Sequence, residues 1–155
     1  MPHCYVSGLN AQGKSTIVRE EEIGNAPSSA ESWGPLAWST AEVPANNEAF
    51  LDQGLVLNMD LIHSRASCFF LVRTPPGSRS ETHATDTIDY ITMISGKLIF
   101  GVETGEVTLS PGDLLIDRGI RHYWYNGSGE EALHSVVTLP ANPVGARAKF
   151  SRSCN

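Results

Sequence analysis

Residues 77–96 read Gly77-Ser-Arg-Ser-Glu-Thr-His83-Ala-Thr85-Asp-Thr-Ile-Asp89-Tyr-Ile-Thr-Met93-Ile-Ser-Gly96. A second stretch answers it: Gly112-Asp-Leu-Leu-Ile-Asp117-Arg-Gly119-Ile-Arg-His122-Tyr-Trp124-Tyr-Asn126. Both carry a histidine on an alternating segment that follows a glycine turn. Alternation with period two is the repeat of a strand, in which residues two apart share a face. His83 and Thr85 therefore point one way. Asp89, Ile91 and Met93 share a face on the next strand, with Tyr90 and Thr92 opposite. His122, Trp124 and Asn126 share a face on the later one. If both stretches line one barrel, His83, Asp89 and His122 converge in a cavity walled by Ile91, Met93 and Trp124.

The surrounding pattern is consistent with such a barrel. From Leu55 onward short apolar runs are punctuated by Gly and Pro: Leu55–Leu57, Leu61–His63, Ser67–Val72, Thr82–Thr85, Asp89–Ile94, Lys97–Val102, Glu106–Leu109, Leu114–Ile116, His122–Tyr125 and Leu133–Leu139. Regularly spaced short strands predict an all-β antiparallel sandwich or barrel. The first third is less regular. Tyr5–Gly8 and Thr16–Arg19 suit a hairpin, 24–32 a loop, and 46–53 a short helix capped by Asn46 or Asn47 and stopped by Gly54. The segment after Pro140 is weakly patterned and basic, which predicts a surface position or docking on a partner subunit.

Composition narrows the class. The 155 residues predict a single domain over 1–155, with its core barrel at about 54–140. Hydrophobic residues make up 41% and charged residues 18%, as in ordinary globular proteins. The net charge of −6, with no basic stripe, argues against nucleic acid and anionic membrane partners. Cys4, Cys68 and Cys154 are odd in number and lack CxxC spacing, so free thiols in a reducing compartment are expected, with Cys68 in the core. No secretory leader and no membrane span are read, so a cytoplasmic location is expected.

Gly8-Leu-Asn-Ala-Gln-Gly13-Lys14-Ser15 spells the GxxxxGKS phosphate-loop pattern. Such a loop needs a buried strand before it, a full helix after it and a parallel sheet around it. Thr16-Ile-Val-Arg-Glu-Glu-Glu-Ile is followed at once by Gly24 and the Pro27 loop, and no alternation of strands with long helices follows. The expectation is a hairpin tip and no bound nucleotide.

The paired stretches resemble the cupin superfamily, and more closely its small single-domain members found beside secondary-metabolite biosynthesis genes. The first cupin motif, G-x5-H-x-H-x3/4-E-x6-G, is matched in spacing from Gly77 to Gly96, with Thr85 in place of the second histidine and Asp89 in place of the glutamate. The second, G-x5-P-x-G-x2-H-x3-N, is matched from Gly119 through His122 to Asn126. Gly112 stands one residue too near, and Asp117 takes the place of proline. The resemblance implies a jelly-roll-like cupin barrel with a short helix and an irregular N-terminal segment.

Two imidazoles and a carboxylate can hold a divalent metal with open positions, and Fe, Zn, Mn and Ni are the candidates. The alternative is a metal-free acid/base set of His83, Asp89 and His122. Thr85 is a weak ligand whose hydroxyl suits a hydrogen bond to a metal-bound water or to substrate. Asp89, one methylene shorter than glutamate, serves as ligand, as base, or as a group orienting one histidine. Asn126 is expected to tie down the turn after its strand. Arg118 and Arg121 flank the motif, and Arg121 is the candidate for binding a substrate carboxylate at the barrel mouth. His63 and His134 fall on strands whose facing the pattern leaves open.

Three functions follow as expectations. First is a lyase or isomerase (decarboxylation, dehydration or cyclisation) acting on an aromatic or polyketide-like metabolite. Second is a non-haem iron dioxygenase with a two-histidine, one-carboxylate site. Third is a non-catalytic cupin that binds a small ligand. The expected partners are a small molecule and a second copy of the chain, since apolar edge strands need covering.

Overall fold

The computed structural model describes residues 3–9, 15–22, 33–40, 57–64 and 66–144. The helix expected at 46–53, the loop at 24–32 and most of the chain after Pro140 lie outside the described residues. Within them the regular secondary structure is nearly all strand. β1 (His3–Leu9) and β2 (Ser15–Glu22) form an antiparallel hairpin, with Tyr5 opposite Glu20 and Gly8 opposite Thr16. This is the hairpin expected there. A phosphate loop would lead from Ser15 into a helix, and Ser15 instead opens a strand.

The barrel has two antiparallel sheets. β3 (Trp33–Thr40), β4 (Ser67–Thr74), β5 (Thr87–Ser95), β8 (Leu114–Asp117) and β10 (Ala132–Pro140) make one, in the order β3-β4-β10-β5-β8. β6 (Leu98–Val102), β7 (Gly105–Leu109) and β9 (His122–Tyr125) make the other, in the order β7-β6-β9. β3 is a strand where the pattern predicts only irregular chain. Pairing with β4, from Leu36 opposite Phe70 to Thr40 opposite Ser67, holds it extended.

Two predicted strands are not strands. Met59–Ile62 is a single helical turn, α1, capped by the Asn58 side chain, which accepts a 2.8 Å hydrogen bond from the Leu61 amide. Short apolar runs do not distinguish strand from helix, and here the cap decides. Thr82–Thr85 is extended chain held by one bridge, His83 to His122, in place of a full strand.

Strand register sorts the side chains into rows. Ser39, Cys68, Thr138, Asp89 and Asp117 lie opposite one another across the larger sheet, on its inner face. One step along, Leu36, Phe70, Val136, Ile91 and Leu115 form the next inner row. The core fills the space between the sheets. One cluster gathers Leu57, Ile62, Cys68, Phe70, Ile91 and Val136, and a second gathers Met93, Leu98, Leu109 and Ala132. Trp124 packs against both. The outer face leaves Phe69 exposed on β4, and Tyr90 and Ile116 exposed on the adjacent β5 and β8.

Gly119 locks the two motifs together. Its φ of +71° is left-handed, and a Cβ there would stand 2.6 Å from the Thr85 carbonyl oxygen. Only glycine lets the 117–122 turn close over the 85–87 segment.

Candidate functional site

Between the sheets lies a cavity of about 630 Å³, within the usual range for small-molecule sites. His83, Thr85, Asp89, Ile91, His122 and Trp124, all expected in the site, line it. Backbone pairing brings the two histidines together. The His83 amide donates to the His122 carbonyl and the His122 amide to the His83 carbonyl, both at 2.9 Å. The two rings then meet edge to face with centroids 4.4 Å apart.

Backbone contacts also set the tautomers. His83 Nδ1 lies 2.8 Å from the Glu81 carbonyl oxygen, and His122 Nδ1 lies 2.9 Å from that of Ile120. A carbonyl only accepts, so each Nδ1 carries a hydrogen, and in the neutral ring Nε2 is the nitrogen with the lone pair. Asp117 reinforces this at His122: its Oδ2 is 3.0 Å from Nδ1, and both side chains are almost wholly buried. Burial drives the His122 pKa below its ordinary 6.5, and His83 lowers it further, against the opposing pull of Asp117 and the Ile120 carbonyl.

Asp89 stands beside Asp117 on the neighbouring strand. Burial pushes its carboxyl up from 3.8 to about 6. The Thr87 hydroxyl opposes this, the charge of Asp117 adds to it and that of His83 opposes it. Its Oδ1 is buried without a hydrogen-bond partner among the described residues. The Thr85 hydroxyl is engaged, accepting a 2.7 Å hydrogen bond from Thr87.

Two expected site residues, Met93 and Arg121, sit elsewhere. Met93 is in the second core cluster, packed with Leu98, Leu109 and Ala132, and it does not line the cavity. It shares a face with Ile91, as the alternation requires, but the cavity ends before its row. Arg121 is exposed and 3.9 Å from the Glu103 carboxylate, away from the cavity lining. Asn126 is completely buried and holds its turn: Nδ2 donates to the Thr74 and Glu130 carbonyls, and Oδ1 accepts from the Ser128 amide and hydroxyl. His63 ends α1 and is exposed.

Two residues enter the site that sequence reasoning did not place there. His134, on β10, lines the cavity and stacks on Trp124 at 5.2 Å. Asp117 backs His122. An aspartate where the cupin pattern has proline is the one signal that pointed to it.

The donor set was tested against a divalent metal. Among the described residues no three His, Cys, Asp or Glu side chains are grouped to hold an ion. His83 and His122 offer two nitrogens, Thr85 is tied to Thr87, and Asp89 does not complete a set with the histidines. The three-ligand metal site expected from the motif is not formed by these residues as placed.

Two antiparallel sheets around a histidine-lined cavity define a small β-barrel of the double-sheet type. The family model described as "Cupin domain" matches residues 70–138, the stretch from β4 to β10 that carries both motifs. The chain is 26% identical over 145 residues to a cupin-domain-containing oxidoreductase of Neurospora crassa, covering 89% of this chain and 72% of that protein. It is 36% identical over 82 residues to a phomopsin biosynthesis cluster protein of Diaporthe leptostromiformis, covering 52% of this chain and 43% of that one. Among solved structures, an uncharacterised conserved protein of Klebsiella pneumoniae with a double-stranded beta-helix domain superposes with a TM-score of 0.51. Its identity is 19%, and the match covers 77% of this chain and 85% of that one. The chain is thus similar to cupin-domain proteins and to a protein of a biosynthesis cluster. No helix among the described residues is long and apolar enough to cross a membrane.

Proposed function

We propose that the protein binds a small, largely apolar, carbonyl-bearing metabolite in this cavity and moves a proton on it, as a lyase or isomerase does. One observation carries the reading: two packed imidazoles, each with Nδ1 turned to a backbone carbonyl, line one cavity with Asp89, whose carboxyl keeps its proton up to about pH 6. A base and an acid of suitable strength on one cavity are what enolisation requires.

In the proposed step Asp89, in its acid form, donates its proton to the substrate carbonyl oxygen. Nε2 of His83 or His122 takes a proton from the adjacent carbon, and an enol results. With a β,γ-unsaturated ketone the enol is a dienol, and return of that proton to its γ-carbon, with the enol O–H reprotonating Asp89 as the double bond moves into conjugation, completes an isomerisation. In a β-hydroxy ketone the C–OH bond breaks instead, the leaving oxygen takes the histidine's proton, and water departs. Phe70, Ile91 and Val136 keep the cavity apolar around the reacting carbons.

The experiment is hydrogen–deuterium exchange at the α-carbon of aryl methyl ketones in D2O, followed by ¹H NMR. The wild type should exceed buffer, and H83A, H122A and D89N should each lose about a hundredfold or more. Wild-type rates in the H83A/H122A double variant, or no acceleration by the wild type, would sink the reading. A second reading has the name of the Neurospora relative in its favour: an oxidoreductase. Stoichiometric iron in protein purified without chelators, with oxygen uptake, would select it. Binding without turnover would select the non-catalytic ligand carrier.

A further inference from the structure

We propose that His134, against the face of Trp124, is a second binding subsite that takes a hydroxyl or carbonyl oxygen of the ligand at the far end of the cavity from Asp89. The inference rests on the proposed function for the identity of the first end.

Strand β10 acts as a ruler. Thr138, Val136 and His134 alternate onto its inner face, are all buried, and all line the cavity. Thr138 has Asp89 as its cross-strand neighbour, Val136 has Ile91, and His134 has Met93. One end of this wall is therefore polar, the middle apolar, and the other end holds a lone imidazole. At about 3.4 Å per residue, the two polar ends are roughly 14 Å apart along the strand.

His134 is only 3% exposed, and its Nδ1 is buried without a hydrogen-bond partner among the described residues. Its ring lies nearly parallel to that of Trp124, at 24° and 5.2 Å. A core position that needed only volume would be filled by phenylalanine or methionine, because an unpaired buried polar atom is costly. Burial alone lowers its pKa, to about 4, so the ring is neutral near pH 7. A neutral imidazole offers one N–H and one lone pair and can serve either a hydroxyl or a carbonyl. Trp124, with one face covered by His134, lines the cavity beside it and adds aromatic character to the wall. The ligand class that fits is elongated and flat, with an oxygen function at each end and an apolar, aromatic middle.

The test is calorimetric titration of the full chain with 4-acetyl-4′-hydroxybiphenyl and with 4-acetylbiphenyl, which differ only in the distal hydroxyl. The wild type should bind the hydroxylated ketone about tenfold more tightly. H134F should reduce that preference below about twofold while holding 4-acetylbiphenyl within about threefold. H134N, whose amide sits where Nδ1 was, should keep a preference of threefold or more. No preference in the wild type overturns the proposal without any variant, as does a tenfold preference surviving in H134F. The two readings fail separately. Absent proton exchange with an intact hydroxyl preference strikes the proposed function only. Intact exchange without the preference strikes this inference only.

Discussion

Replacing Asp89 with asparagine should change how stability depends on pH, and by a calculable amount. In the folded protein the carboxyl holds its proton to about pH 6, against 3.8 ordinarily, chiefly because burial disfavours its charge. A group whose folded pKa is raised contributes stability that is complete below the unfolded pKa and is lost as pH rises through the folded one. At 1.36 kcal/mol per pH unit, the interval from 3.8 to about 6 amounts to about 3 kcal/mol. His134 works against this in the wild type. Its pKa falls to about 4, so it contributes stability above pH 6.5 that is lost as pH falls toward 4. The two effects nearly cancel in the raw curve, and the difference between wild type and D89N isolates the carboxyl. Urea unfolding followed by tryptophan fluorescence, from pH 3 to pH 8, measures it. D89N should gain about 3 kcal/mol on the wild type between the two ends, most of it between pH 4 and 6. A difference curve flat to within about 1 kcal/mol would refute the claim that Asp89 is a buried acid.

Two further substitutions probe how the site is held. N126A removes both donors to the Thr74 and Glu130 carbonyls and the acceptor for Ser128, leaving buried groups unpaired. It should cost about 3 kcal/mol in urea unfolding, and a loss under about 1 kcal/mol would show that the turn holds without it. G119A places a Cβ 2.6 Å from the Thr85 carbonyl on a left-handed backbone. It should destabilise by about 2 kcal/mol or more and slow ketone exchange, whereas wild-type stability would mean the turn shifts freely.

Much of the fold was legible because period-two alternation and glycine turns are local. The strands from Ser67 to Pro140 follow from it to within a few residues, and the inward facing of Ile91 and Asp89 follows with them. Leu61–His63 was not legible, because a three-residue apolar run has no period, and the Asn58 cap turns it into a helix. Nor was β3, whose Trp33–Thr40 run gains its extended form from pairing with β4. In the site, motif spacing pointed to His83 and His122, and two reciprocal backbone hydrogen bonds set them side by side. Arg121 looked available because it flanks the motif, but chain proximity says nothing about which way an exposed arginine turns.

By itself the sequence determined that strands would carry Asp89 on the face of Ile91 and His122 on the face of Trp124, since side-chain direction within one strand depends only on counting by two. It also marked Gly119 as a turn glycine. Tertiary structure alone decided which rows face each other across strands and sheets. Register put Asp117 beside Asp89 and Thr138 beside both Asp89 and Cys68. Packing between the sheets laid His134 on Trp124 and drew Met93 into the core. These are contacts between segments far apart in the chain. They are set by how two apolar faces close on each other, which no local pattern records.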